Sequence, residues 1–81
     1  MNIYVGNLSY RLEENELREV FEAYGEVSSV KLITDRQTGK KKGFGFVDMP
    51  NDDEAQNAID NLHESELMSR TMIVNEAKSR K

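Results

Sequence analysis

Two apolar stripes at helical spacing constrain this chain most. Leu17, Val20, Phe21 and Tyr24 fall at i, i+3, i+4 and i+7, and Ala55, Ala58, Ile59 and Leu62 form a second such face. The first stripe predicts a helix over 12–25. Leu12 can staple to Leu17, Glu16 takes the N3 position, and Gly25 serves as the C-terminal stop. Pro50 and the capping pair Asn51 and Glu54 announce the second helix. The remaining segments are β-rich: "NIYVGNL" (2–8), "VSSVKLITD" (27–35), "KGFGFVDM" (42–49) and "RTMIVNEA" (70–77). "RQTGKK" is a turn short enough to make the middle strands an antiparallel hairpin, and "SELMS" is a loop or short irregular strand.

The order is β-α-β-β-α-β, an α+β arrangement of the ferredoxin-like kind built from split βαβ units. Right-handed crossovers put both helices on one face of a four-stranded antiparallel sheet. An 81-residue chain supports one core, expected over residues 1–77, followed by a short basic tail at 78–81. No element is left to cover the other face of the sheet.

What stands on that open face follows from side-chain alternation. Phe44 and Phe46 share one face of their strand; Gly43, Gly45, Val47 and Met49 share the other. If the helices packed on the phenylalanine face, Val47 and Met49 would be exposed and the glycines would bury nothing. If they pack on the glycine face, the glycines admit a close neighbour and Val47 and Met49 fill the core. The flanking strands agree with the second arrangement. Ile3 and Val5 are the natural core pair, leaving Tyr4 opposite, and Met72 and Val74 go inward, leaving Ile73 and Asn75 outward. Tyr4, Phe44 and Phe46 are therefore expected together on the uncovered face. An exposed aromatic patch marks an interaction site. Flat rings flanked by lysines suit single-stranded nucleic acid, whose bases stack on rings and whose phosphates meet ammonium groups.

The net charge of −4 argues mildly against an anionic partner, but its distribution does not. Between Glu13 and Glu26 lie six acids and one base, Arg18. The bases gather at Arg36, Lys40, Lys41 and Lys42 and again at Lys78, Arg80 and Lys81. An anion can bind if these two clusters border the rings while the acids sit on the helices behind. The chain has no cysteine, which excludes disulfides, thiolate metal sites and cysteine nucleophiles. It has no long apolar run for a membrane span, and residues 1–8 lack a basic start and a small-residue cleavage site, so no secretory signal is expected there. An intracellular location is expected, the cytoplasm favoured and the nucleus not excluded.

The chain resembles the RNA recognition motif family over nearly its whole length. "IYVGNL" (3–8) matches the family's hexamer and "KGFGFVDM" (42–49) its octamer, at the correct separation and in the correct element order. The resemblance implies that Tyr4 and Phe46 stack on successive bases, that Phe44 packs against sugars and that Lys42 reaches a phosphate. It implies that Lys31 and Ile33 extend the platform and that Asn75, Ala77 and Lys78 read base edges, partly through backbone groups. Lys40, Lys41 and Arg80 are expected to meet phosphates. Two departures stand out. The octamer ends in Met49 where an aromatic is usual. The loop after the second helix carries His63-Glu64 and Ser69 where members often carry Asn-Gly and Gly.

Other constellations are weaker. His63 lacks partners for catalysis or a metal and reads as a surface loop histidine. "GFGF" is not a phosphate-binding GxGxxG, and Gly39-Lys40 lacks the rest of a P-loop. Asp52, Asp53 and Glu54 suit a helix N-terminus without any metal. "KKK" fits a hairpin tip reaching phosphates as well as a nuclear signal. Single-stranded RNA is therefore the expected partner of a monomer without cofactor or catalytic residue, and the family resemblance implies the role of an RNA chaperone or post-transcriptional regulator. Single-stranded DNA is a possible second ligand. The alternative is a protein-interaction module on the same fold, whose members usually have degraded ring positions and an Arg-x-Phe that this chain lacks. An acylphosphatase-like hydrolase would use Asn7 and Arg11, both beside or within an intact RNA-binding hexamer.

Overall fold

In the computed structural model, residues 1–77 are described, apart from the side chain of Lys41; the expected tail at 78–81 lies outside the described residues. The elements are β1 (Asn2–Gly6), α1 (Glu14–Glu22), β2 (Ser29–Thr34), β3 (Lys41–Asp48), α2 (Asp52–Leu62), β4 (Glu66–Leu67), β5 (Arg70–Thr71) and β6 (Ile73–Glu76). The main sheet has the order β2-β3-β1-β6, with every neighbouring pair antiparallel.

One core holds the layers together. Leu17 and Phe21 of α1 and the α2 stripe join Ile3, Val5, Val47, Met49, Met72 and Val74 in a single buried cluster. Both helices therefore cover the face opposite Tyr4, Phe44 and Phe46, as the alternation requires. Full burial of side chains such as Phe21 or Ile3 is worth about 1.5–3 kcal/mol each. Met49 is wholly buried, so the change at the end of the octamer is a core substitution that leaves the open face alone.

The first helix is shorter than expected, 14–22 against 12–25. Leu12 is buried ahead of the helix, and extended Glu13 takes the N-cap, its N–H donating to Glu16 Oε1 at 2.9 Å. Gly25 is not the left-handed stop that the periodicity suggests. Its value is spatial: a β-carbon there would run into the Glu54 side chain, whose carboxylate accepts the N–H of Glu26 at 3.2 Å. The first turn of α2 thus packs on the loop that follows α1. Asn51 caps α2, its Oδ1 accepting the Glu54 N–H at 3.0 Å.

The second strand also shortens, from 27–35 to 29–34. Val27 turns into the core, and Asp35 opens the hairpin loop. Asp35 carbonyl accepts the Gly39 N–H at 2.8 Å, with Gly39 left-handed at φ 73°. The glycines of β3 have separate roles. Gly45 sits against the β2 backbone at Lys31 and Leu32, so the close neighbour is a strand. Gly43, at φ 85°, lies where the β2–β3 register shifts between Leu32 and Thr34. A left-handed glycine accommodates such a bulge.

The last strand divides. Arg70–Thr71 pairs with Glu66–Leu67, whereas Ile73–Glu76 pairs with β1. Met72 bridges the two, donating its N–H to Ser65 O and accepting the Glu64 N–H, both at 2.8 Å. The β4–β5 turn is Met68-Ser69, at φ 52° and 65°, and Glu64 is also left-handed at φ 66°. A two-residue hairpin of this twist requires positive φ at both central positions. The loop thus keeps a glycine-compatible backbone without its glycines.

Both outer edges of the sheet are guarded by side chains. The Leu32 N–H on β2 donates to Glu14 Oε2, and the Val74 N–H on β6 donates to His63 Nδ1, both at 3.1 Å. His63 is exposed, as expected of a loop histidine, yet it satisfies an edge donor that would otherwise invite another strand.

Two stability measurements follow from this architecture. Denaturant unfolding of Val47→Ala or Leu17→Ala should show a loss of roughly 1–4 kcal/mol, from lost apolar contact plus a cavity. Ser69→Gly should instead raise stability by about 1 kcal/mol, because glycine removes the left-handed penalty. An unchanged unfolding midpoint for Ser69→Gly would mean that the turn carries no such strain.

Candidate nucleic-acid interface

The sheet register assembles the site. Lys31 pairs with Phe46, Phe46 with Tyr4, and Tyr4 with Asn75. Partners in register project to the same side, so Lys31, Phe46, Tyr4 and Asn75 form one row across all four strands of the open face. Phe44 stands beside that row. The ring centroids of Tyr4 and Phe44 are 6.0 Å apart, those of Tyr4 and Phe46 6.0 Å, and those of Phe44 and Phe46 6.3 Å. These separations lie in the range of attractive aromatic contacts. The rings therefore hold one another in place, and each is half-buried rather than fully in solvent.

A glycine that the sequence reading did not single out fixes the first ring. A β-carbon on Gly6 would lie 2.8 Å from Tyr4 Cζ, so the Tyr4 ring lies along its own strand over Gly6. The signal was in "YVG": two residues along a strand share a face, and only glycine leaves that face bare.

The cations lie along β2 and the β2–β3 hairpin. Lys31, Lys40 and Lys42 are exposed, and none makes an ion pair among the described residues. Lys40 and Lys42 line an open cleft of about 660 Å³ together with Tyr10, Gly39 and Phe44. Ile33 is half-buried at the β2 side, Asn75 is exposed and Ala77 half-buried at the β6 side. The Ala77 N–H donates to Asn2 O at 2.8 Å. Of the remaining expected contacts, Lys78 and Arg80 lie outside the described residues, as does the Lys41 side chain. The acids lie behind: α1 carries Glu14, Glu16, Glu19 and Glu22 against Arg18, and α2 carries four acids and no base.

Two further features escaped the sequence reading. Asn7, left-handed at φ 57°, donates through Nδ2 to Thr71 O at 2.6 Å and accepts from Arg70 Nη2 at 3.0 Å. This ties the end of β1 to the β4–β5 hairpin and commits Arg70 to the protein. Tyr10, in the β1–α1 loop, is 70% exposed and was legible only as a lone aromatic in a polar stretch.

An open antiparallel sheet with clustered rings, a row of hydrogen-bonding groups and unpaired cations defines a ferredoxin-like binding module for a flat, anionic ligand. The family model described as RNA recognition motif matches residues 3–73. RbpD of Nostoc sp. (strain PCC 7120) is 52% identical over 80 residues, covering 99% of this chain and 85% of that protein. RbpA of Synechocystis sp. (strain PCC 6803) is 51% identical over 80 residues, covering 99% and 79%. Both names propose RNA binding for their bearers. The crystal structure of RNA binding protein PG1 superposes with a TM-score of 0.95 at 48% identity, covering all of this chain and 98% of that one. The Rna15 RRM with bound RNA (GU) gives 0.85 at 26% identity, covering 96% and 83%. The chain belongs to the RNA recognition motif family, a family of binding modules rather than enzymes.

Gly6→Ala should displace the Tyr4 ring while leaving the core intact. RNA titration should show affinity falling several-fold, toward the effect of losing one stack, with the thermal melt little changed. Unchanged affinity would mean that Tyr4 can bind from another rotamer.

Proposed function

We propose that this protein binds single-stranded RNA as a monomer. One base stacks on Tyr4 and the next on Phe46. Phe44 packs against the sugars between them. Lys31, Lys40, Lys42 and the Lys41 ammonium meet phosphates, Ile33 widens the platform, and Asn75 with the Ala77 carbonyl reads base edges. Lys78 and Arg80 extend the cationic border. The row Lys31–Phe46–Tyr4–Asn75 carries this reading, because it sets a charge, two rings and an amide along a path that a single strand can follow. The names of the relatives and the GU-bound Rna15 neighbour support it. Stacking does not sense the 2′-hydroxyl, so single-stranded DNA is a second ligand of the same surface. The platform of one such module fits permissive binding, in the manner of an RNA chaperone or post-transcriptional regulator in the cytoplasm. No helix among the described residues is long and apolar enough to cross a membrane.

Tyr4→Ala and Phe46→Ala should each weaken binding to a short RNA by about 1–3 kcal/mol with the fold retained. Two stacks at about 6 kcal/mol correspond to a dissociation constant of tens of micromolar. With about two to four phosphate contacts, log K should fall against log salt with a slope of roughly −1.4 to −2.8. Calorimetric titrations at several salt concentrations, beside thermal melts, test all three. A large drop in melting temperature with unchanged affinity would show that the rings serve the core. Salt-independent affinity, or no RNA binding at low salt, would favour the protein-interaction alternative.

A further inference from the structure

The cleft beyond Phe44 is an unassigned part of the surface. Its floor and walls come from two segments far apart in sequence: Tyr10 from the β1–α1 loop, and Asp35, Thr38, Gly39, Lys40 and Lys42 from the β2–β3 hairpin. Phe44 belongs both to this cleft and to the ring cluster, so cleft and platform are continuous. Tyr10 is 70% exposed, the highest value of any large hydrophobic side chain among the described residues. Its ring nevertheless has a seat. A β-carbon on Gly43 would lie 3.3 Å from Tyr10 Cε1, so the ring rests over the bare backbone of the bulge. The hairpin wall is also preformed, because the Asp35 carboxylate, itself part of the lining, is committed to the N–H of Gln37 at 2.8 Å and that of Thr38 at 3.4 Å. Lys40 and Lys42 on the rim are free of ion pairs among the described residues.

An aromatic face, a preformed wall and two unpaired ammonium groups suit one more nucleotide of the strand that crosses Phe44. We infer that Tyr10 stacks on an additional base beyond the Tyr4–Phe46 pair, with Lys40 and Lys42 holding the phosphate that leads to it. The inference rests on the RNA-binding reading of the platform and lengthens its site by one nucleotide. Preformed walls reduce the ordering cost of capturing that nucleotide.

The test uses a short single-stranded RNA that just covers Tyr4 and Phe46. It is compared with RNAs longer by one nucleotide at the 5′ or the 3′ end, carrying either a base or an abasic sugar. In one of the two series the base-bearing extension should tighten wild-type binding about tenfold, within the range for one stack, and the abasic extension should do much less. Tyr10→Ala should abolish the gain while leaving the short-RNA affinity and melting temperature unchanged, and Tyr10→Phe should keep it. In NMR spectra the Tyr10 ring protons should move upfield only with the base-bearing RNA. No gain in either series, a gain that survives Tyr10→Ala, or an equal gain from the abasic sugar would overturn the inference. Affinity for the short RNA that is indifferent to Phe46→Ala would instead overturn the platform reading itself.

Discussion

Burial on only one side of the sheet is the constraint from which the rest of this structure follows. Two helices of 9 and 11 residues have enough apolar surface to cover one face of four short strands. The helix-covered face takes Ile3, Val5, Val47, Met49, Met72 and Val74, all essentially inaccessible to water. Alternation then sends Tyr4, Phe44, Phe46, Lys31 and Asn75 to the other face without further choice. Rings on an uncovered face would ordinarily be an aggregation liability. Here their mutual contacts near 6 Å leave each one half-buried, so the fold itself holds the aromatic surface together.

The same two-layer geometry resolves the conflict between an acidic chain and an anionic ligand. The helices carry eight acids and a single base, and they face away from the platform. Lys31, Lys40 and Lys42, without an ion pair among the described residues, lie on β2, on the β2–β3 loop and near the start of β3. Sheet and helix layers separate the two signs of charge, and screening over about 8 Å at physiological ionic strength weakens what repulsion crosses that distance. Local potential at the rings, rather than total charge, decides what the face attracts.

Backbone conformation adds a second layer of positioning. Gly43 at the β3 bulge and Gly39 in the hairpin loop are glycines where positive φ is needed. Glu64, Met68 and Ser69 adopt positive φ without that freedom, a strain that the β4–β5 pairing and the Met72 hydrogen bonds hold in place. Glu64 and Ser69, at positions where the family often carries glycine, are thus left-handed without being glycine. Asn7, which tolerates the left-handed region better than most residues, clamps this hairpin to the end of β1 through Thr71 and Arg70.

The sequence by itself determined the element order, the two helical stripes, the Asn51 cap and the face on which each ring stands. All of these depend on spacing within a few residues, where the periods of 2 and 3.6 are fixed by local backbone geometry. Tertiary structure decided what local spacing does not encode. The last strand divides at Met72 because β4 and β1 compete for successive parts of it. Gly25 serves the Glu54 side chain rather than a helix stop, and His63 serves the Val74 edge. Tyr10 meets Gly43 and the hairpin cleft only because antiparallel pairing of β1 with β3 brings segments far apart in sequence to the same end of the sheet. Such contacts join segments whose approach is set by the packing of the whole chain, and no periodicity in either segment announces the other.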